Sequence, residues 1–250
     1  MSERLSKEEY AAKKQEERQM MNDMANSHLM EIIRDQDAFV SFLDLYSRLG
    51  YSTVNSLLIH AQNPEATAIK DFASWKEDGH PVINNEKGIR IYVPTETYVR
   101  KDGSVGQNFD IKYYFDVKQT KNGSVKEKEY DLKDVRNSLI SGNEEAYEGK
   151  SLSDAIDFAC EEAGREIDAF TISCAEYAVK KKYHVLPNNF GEDVVSYFKD
   201  TADAGAAKNW TREFEKVYRP VVETIDKGLR DREQEASHDN KQREFRDYDR

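Results

Sequence analysis

Two motifs roughly sixty residues apart carry the side chains whose types and spacing are most suited to binding chemistry. The first, at 51–64, reads YSTVNSLLIHAQNP, and the second, at 114–120, reads YFDVKQT. Between them lie FASWK at 72–76 and the turn EKGIRI at 86–91. Aromatic, amide, hydroxyl and basic side chains recur in these pieces, but neither motif contains a catalytic constellation. The motifs therefore indicate a binding surface rather than an active site.

Periodicity alone offers a simpler interpretation of the first motif. Val54, Leu57, Leu58 and Ala61 have the i, i+3, i+4, i+7 spacing of one apolar helix face, and they predict a core-packed helix over 53–62. In that case the polar residues between them would be solvated. In the second motif, alternation predicts that the residues on either side of Asp116 point inward, and these are Phe115 and Val117.

The elements around the motifs predict an α+β fold, in which an αα-hairpin packs on a small mixed or antiparallel β-sheet and a mainly helical C-terminal part follows. The hairpin consists of helices over 37–49 and 53–62, with Gly50 at the end of the first and Ser52 or Thr53 capping the second. Extended segments are predicted at 66–69, 79–87, 88–93, 98–100 and 110–117, with a turn at 101–104. Pro94 is expected to end the strand over 88–93. A short helix over 71–78 carries Trp75.

Helix-period apolar residues continue after a polar loop at 141–150, which we take as a domain boundary. Helices are predicted over 131–139, 152–163, 167–183, 192–202 and 206–230. The expected organisation is a charged N-terminal helix at 1–35, a binding domain at 36–140, a helical region at 150–232 and a disordered polar tail at 233–250.

Net charge is unevenly distributed along the chain. The whole protein carries −11, yet residues 51–130 hold 11 Lys and Arg against 11 Asp and Glu. The segment with the motifs is therefore the least acidic part, and its neutrality permits phosphate binding without predicting it. No apolar run is long enough to span a membrane, residues 1–19 lack the apolar stretch of a secretory signal, and the two cysteines have no Cys-x-x-Cys spacing. These features predict a cytoplasmic protein with reduced thiols and no membrane partner.

In order and spacing, the pieces between residues 51 and 120 resemble the N-terminal single-stranded-DNA-binding domain of ArdC-type antirestriction proteins. Those proteins travel with plasmids, phages and conjugative elements. The resemblance implies sequence-tolerant binding of single-stranded DNA, with an antirestriction or DNA-transfer role.

The residue types suit such a partner. Unpaired bases stack on aromatic rings, amides and hydroxyls bond to base edges or phosphates, and cations neutralise the backbone. The residues predicted to bind DNA are Tyr51, Ser52, Asn55, Gln62, Trp75, Lys76, Lys87, Arg90, Tyr92, Lys112, Tyr114, Lys118, Gln119 and Thr120. For each aromatic residue, core packing is the alternative.

The second half lacks the chemistry that usually follows in this family. ArdC-type proteins continue into a zinc metallopeptidase-like domain with His-Glu-x-x-His, but the five histidines here, at 28, 60, 80, 184 and 238, include no pair four residues apart. The helix around Glu176 resembles one that follows the metal site in those peptidases, although a plain helical bundle accounts for it equally well. We expect no metal, no cofactor and no enzymatic activity. Phosphate-binding loops and nucleophile elbows are also absent from the sequence.

Two other interpretations remain open at this stage. The acidic C-terminal half could bind a protein partner, or could mimic DNA and occupy a restriction enzyme or repressor. A degenerate peptidase with an unrecognised site is the third possibility. The sequence does not determine the oligomeric state or any base preference.

Overall fold

A computed structural model describes residues 6–125, 128–140, 145, 148–186 and 189–248, with side chains as far as 234. The described residues form two compact units, one within Met1–Lys126 and Asp193–Lys208 and the other within Glu127–Glu192 and Asn209–Arg250. Their secondary structure confirms the predicted α+β class. Their helices are α1 (Lys7–Ile32), α2 (Gln36–Leu49), α3 (Thr53–Gln62), α4 (Phe72–Glu77), α5 (Leu132–Leu139), α6 (Leu152–Glu162), α7 (Ala169–Lys182), α8 (Val194–Tyr197) and α9 (Ala204–Tyr248). Their strands are β1 (Ile69–Asp71), β2 (Ile89–Val99) and β3 (Val105–Asp116).

The αα-hairpin of the first unit has the caps that the sequence predicts. Gly50 ends α2 with a left-handed φ of 68°, and its N–H bonds to the carbonyl of Tyr46. The hydroxyl of Ser52 accepts a hydrogen bond from the backbone N–H of Asn55 and begins α3. Both devices satisfy backbone groups that a helix end leaves without partners, so the sharp turn at Gly50 is locally determined.

Helix α1 is a packed part of the first unit. Met21, Ala25, Leu29 and Ile32 form a buried stripe at spacings of three and four residues, and α1 packs against α3 and α2. The sequence predicted a separate charged helix at 1–35. The stripe lies in the C-terminal half of α1, and the charged residues that dominate its composition lie mainly before it.

The sheet is antiparallel, with the strand order β1-β3-β2. Strand β2 runs through Pro94, where the sequence predicted an end, and the β2–β3 register shifts between Pro94 and Thr97. Proline is tolerated there because β2 is an edge strand and the ladder is already irregular. The two predicted strands at 98–100 and 110–117 are thus parts of one long hairpin closed at residues 100–104, where Gly103 has a φ of 82°.

One face of the sheet packs on the helices. Ile69, Ile89 and Ile91 form a buried cluster with Leu45 of α2 and Ile59 of α3. On α3 itself the predicted apolar face is half correct: Leu57 and Leu58 are buried, but Val54 and Ala61 are exposed. Asn55, Ser56 and His60 are buried in their place. The helix is enclosed by α1, α2 and β2, so several of its polar side chains face protein rather than solvent.

The second unit is helical, as predicted. Asp131, Ser151 and Asp168 cap α5, α6 and α7, and both cysteines are buried as free thiols. The helix α5 belongs to this unit, and residues 193–208 belong to the first, so the compact units do not follow the predicted domain boundaries. Most of the predicted boundary loop at 141–150 lies outside the described residues. Residues 233–250 were predicted to be a disordered tail, but α9 continues to Tyr248, and the abundance of Glu, Gln, Lys and Arg there favours helix.

Candidate nucleic-acid interface

The amides of Asn55 and Gln62 bond to the free edge of the sheet. Asn55 donates from Nδ2 to the carbonyl of Tyr92 at 2.8 Å and accepts from its N–H at 2.9 Å. Gln62 makes the same pair of bonds to Arg90, at 2.9 Å and 3.0 Å. The two residues are seven apart on α3, so they meet alternate residues of β2 and satisfy an edge strand that would otherwise be open. Asn55 and Gln62 therefore support β2.

Three further residues from the predicted set are engaged within the protein. Trp75 is buried, and its Nε1 donates to the carbonyl of Phe115 at 2.7 Å. Gln119 accepts from the N–H of Asp116 and donates to Glu86 and to the carbonyl of Lys87. Thr120 is buried and donates to the carbonyl of Val117. The ring of Trp75 is therefore part of the core. Core packing was the alternative to DNA binding for each aromatic residue in the predicted set.

Tyr51 and Tyr114 lie together on the helix-facing side of the sheet. Their rings pack edge to face at 6.5 Å, and both border the cluster of isoleucines. Burial, followed by the nearby Tyr114 and Asp71, raises the pKa of Tyr51 to about 12. Burial also raises the pKa of Tyr114, with Asp71 as the second cause. Both rings are half-buried, so each is less accessible than an exposed ring would be.

The other side of the sheet, which we call the outer face, carries a row of aromatic residues. Cross-strand pairing places Arg90 opposite Tyr113, Tyr92 opposite Ile111 and Pro94 opposite Phe109. Side chains of directly paired residues point to the same face. Phe109, Ile111, Tyr113 and Phe115 therefore line one side of β3, with Tyr113 56% exposed and Phe109 43% exposed.

Glycine at position 88 leaves space for two of these rings. A Cβ on Gly88 would lie 3.0 Å from Cβ of Tyr113 and 3.2 Å from Cζ of Phe115. Phe115 is in turn packed against the buried cluster of Trp75, Val82 and Val117, and the exposed ring of Phe72 lies 6.3 Å away. The row thus begins at a fixed aromatic cluster and becomes more exposed at Tyr113.

Several cations of the first unit have no acidic partner. Within the described part of the chain, no carboxylate lies within ion-pair distance of Arg18, Arg90, Lys76 or Lys87. Lys112 is different, because it lies close enough to Asp71 to help the backbone N–H of Ser74 lower the pKa of that carboxyl. Arg90 is on the outer face beside Tyr113, with one guanidinium nitrogen 3.7 Å from the sulfur of Met20. Lys118 is exposed and donates to the carbonyl of Glu65. Lys70 is also on the outer face, but Asp78 pairs with it at 2.5 Å.

A pocket of about 490 Å³ opens beside the outer face. Helix α1 contributes Arg18 and Asn22, and the start of α3 contributes Ser52, Val54 and Asn55. The β2–β3 hairpin completes the lining with Tyr92, Tyr98, Gln107, Asn108 and Phe109. Tyr92 connects two of these walls, because its hydroxyl lies 3.1 Å from both the carbonyl of Arg18 and Oδ1 of Asn22. Burial raises the pKa of Tyr92. Of the two smaller causes, Arg18 lowers this pKa and Glu17 raises it.

The structure thus brings Ser52, Asn55 and Tyr92 to the pocket and Arg90 to the outer face, while Tyr51 and Tyr114 lie on the opposite side of the sheet. Sequence reasoning missed Tyr113 and Phe109. Their signal was the alternation Phe-x-Ile-x-Tyr-x-Phe over 109–115, which marks one face of a strand.

The second unit contains no comparable arrangement among the residues that the structure describes. There, Glu176 pairs with Lys180 at 2.7 Å, one turn along α7. Across the described ranges of both units, no three His, Cys, Asp or Glu residues are placed to hold a metal ion. A search of the same residues finds no helix long and apolar enough to cross a membrane. No protein-family model, curated protein sequence or solved structure matches this chain.

Proposed function

We propose that the first unit binds single-stranded DNA through the outer face of its sheet, with little preference for sequence. The observation that carries the proposal is the exposed pair Tyr113 and Phe109 on one face of β3, with the unpaired Arg90 beside Tyr113. Base stacking on an aromatic ring contributes about 1–3 kcal/mol per base and tolerates every base. A guanidinium beside the ring supplies the cation for the adjoining phosphate.

The spacing along β3 suits more than one base. Phe109 and Tyr113 are four residues apart, which corresponds to about 13 Å along a strand. Known sheet modules that bind single-stranded nucleic acid stack two or three bases on aromatic residues of one face. The outer face offers the same combination of a pleated surface and rings in one row.

Charge favours a single strand over a duplex as the partner. Residues 51–130 have no net positive charge, so attraction to a duplex backbone is weak. In a duplex the bases are stacked on one another, and the exposed rings of Tyr113 and Phe109 gain nothing from them. In a single strand the bases are free to stack on protein.

The resemblance to ArdC-type proteins is the reason for naming DNA as the nucleic acid. It also supports the wider proposal of a binding protein, not an enzyme, that serves a mobile genetic element in antirestriction or DNA transfer. The resemblance rests on residues 51–120, which include most of the sheet.

Fluorescence anisotropy tests the proposal, using a labelled 20-nucleotide single strand and the same sequence as duplex at several salt concentrations. The single strand should bind more tightly. If about three phosphates are neutralised, log K should fall against log salt with a slope of about −2. Absence of binding at low salt, or equal binding of the duplex, would contradict the proposal.

A further inference from the structure

The pocket between α1, the start of α3 and the β2–β3 hairpin has the size of a ligand site. Its volume of about 490 Å³ is within the range of pockets that bind small molecules. Three elements distant in sequence build it, with Arg18 from α1, Val54 from α3 and Tyr98 from β2. It adjoins the proposed strand-binding surface, because Phe109 lines the pocket and also lies on the outer face.

One wall of the pocket is aromatic. Tyr98 lies across the hairpin from Gly106, and a Cβ on that glycine would be 2.5 Å from the tyrosine ring. Glycine therefore lets the ring of Tyr98 lie flat on β3. Tyr98 and Phe109 are both more than two-fifths exposed, but the register places them on opposite sides of β3, because Tyr98 pairs with Gly106, three residues from Phe109. Tyr98 is therefore the ring surface that a planar ligand in the pocket could cover.

The pocket also holds polar groups that no protein group satisfies. Within the described part of the chain, Nδ2 of Asn22, the side-chain amide of Asn108 and Oε1 of Gln107 have no hydrogen-bond partner. Donors and acceptors beside aromatic rings are the groups that bond to the edge of an unpaired base. They give the pocket a means of distinguishing bases, which an aromatic platform does not have.

Arg18 provides an anion-binding group at the same pocket. It donates from Nη2 to the carbonyl of Phe109 at 3.1 Å, and the rest of the guanidinium has no acidic partner among the described residues. The first turn of α3 lines the pocket through Val54 and Asn55, so the positive end of that helix dipole faces the same space. A phosphate beside Arg18 would meet both.

We propose that this pocket holds one unpaired nucleotide of the bound strand, with its base on Tyr98, its polar edge at Asn22 and Asn108, and its phosphate at Arg18. The proposal rests on the proposed function and deepens it, because the pocket would be the place where the protein prefers one base over another. The strand would enter from the outer face, where Phe109 is shared.

Anisotropy titrations of labelled dT12, dA12 and dC12 test the pocket. The wild-type protein should bind the best of the three about fivefold more tightly than the worst, as one or two hydrogen bonds to a base edge allow. Asn108→Ala should reduce that ratio below about twofold by lowering the affinity for the homopolymer that the wild-type protein binds best. Asn108 is exposed and its side chain makes no bond, so the variant should fold. Asn84→Ala, at another exposed asparagine, is the matched control and should keep the wild-type ratio.

Failure of the pocket and failure of the outer face give different results. Tyr113→Ala should weaken all three homopolymers about tenfold and leave their ratio unchanged. If the homopolymers bind with equal affinity, or Asn108→Ala keeps the wild-type ratio, the pocket proposal is overturned while strand binding stands. If no homopolymer binds, the proposed function fails.

The ligand of the pocket could be a nucleotide within a bound strand or a free mononucleotide, and a binding test with free mononucleotides distinguishes the two. Saturation-transfer NMR with each of the four deoxynucleoside 5′-monophosphates should show transfer to base protons, and Tyr98→Ala should remove it. Transfer without any homopolymer binding would assign the pocket to free nucleotides and overturn its role in strand binding. Absence of transfer together with an unchanged homopolymer ratio in Asn108→Ala would remove the pocket altogether.

Discussion

Asp116 and His60 are buried polar residues that belong to the scaffold of the candidate site. Oδ2 of Asp116 accepts from the backbone N–H groups of Thr67 and Ala68, at 2.6 Å and 3.1 Å, and so joins the start of β1 to the end of β3. His60 lies between two helices, with Nδ1 2.6 Å from Nε2 of His28 and Nε2 3.0 Å from Oγ of Ser41. One ring nitrogen of the histidine pair must donate and the other accept, so protonation of both rings would break the bond.

The stability of the first unit should therefore depend on pH through His60. Burial, followed by the neighbouring His28, lowers the pKa of His60 to about 4. The folded pKa is below the unfolded value, so the unfolded chain binds more protons between about pH 6.5 and pH 4 and stability falls as pH falls through that window. Urea unfolding at pH 7 and pH 5 should show a loss of about 2 kcal/mol from this group. In His60→Gln the free energy of unfolding should fall by about 2 kcal/mol less than in the wild type between pH 7 and pH 5. An equal fall in both proteins would contradict the assignment to His60.

At the scale of elements, the edge of β2 is the junction on which the candidate site depends. Asn55 and Gln62 hold the backbone of Tyr92 and Arg90, whose side chains belong to the pocket and to the outer face. Beyond these bonds the hairpin projects with mostly exposed residues, from Thr95 to Arg100 on its first strand. The helix therefore fixes the position of the strand from which the binding groups extend.

Removal of an edge amide should loosen β2, because the side chain of Asn55 bonds to both backbone groups of Tyr92. Asn55→Ala leaves the N–H and carbonyl of Tyr92 without their partner, and it should cost about 2 kcal/mol of unfolding free energy. Hydrogen exchange of the Tyr92 amide should become faster in the variant. Asn84→Ala, at an exposed asparagine, should change neither quantity. A variant with wild-type stability and Tyr92 exchange would show that the amide does not support the edge.

Sequence reasoning was most successful where local chemistry determines an element. The turn at Gly50, the helix over 53–62 and the helix over 131–139 follow from local signals and were predicted close to their observed places. The face to which each side chain of β3 points depends on the register of its pairing with β2, and a register shift of one residue exchanges the two faces. Val117 is buried and Phe115 packs against it, as predicted, but Phe115 does so on the side of β3 that also carries Tyr113. The more exposed tyrosine is therefore Tyr113 and not Tyr114, which the sequence favoured. Arg18 was missed because it reaches the pocket from a helix far away in sequence.

At the scale of the whole molecule, the first unit is discontinuous in sequence. Residues 193–208 belong to it, and their contact is with α2: the ring of Phe198 lies 5.9 Å from that of Phe39, and the N–H of Val194 donates to Gln36. The scaffold of the candidate interface thus includes residues that follow most of the second unit in the chain. This arrangement could not be predicted from the motifs, which end at Thr120.

Truncation of Phe198 should destabilise the first unit selectively. Phe198→Ala removes a buried ring against α2 and should cost about 3 kcal/mol. Hydrogen exchange should show less protection in α2 and unchanged protection in α6 and α7. Val195→Ala, at an exposed neighbour, serves as the control and should leave all three helices as they are. Equal loss of protection in α2 and α7 would mean that the two units do not unfold separately.

The proposed position of single-stranded DNA on the outer face of the sheet can be tested by comparing two tyrosines. Tyr113 on that face is 56% exposed and Tyr10 on α1 is 57% exposed, so their alanine variants remove equally accessible rings. Anisotropy with the labelled 20-nucleotide single strand should show binding about tenfold weaker for Tyr113→Ala, and within about twofold of wild type for Tyr10→Ala. Equal affinities for the two variants would contradict the placement of the strand on this face.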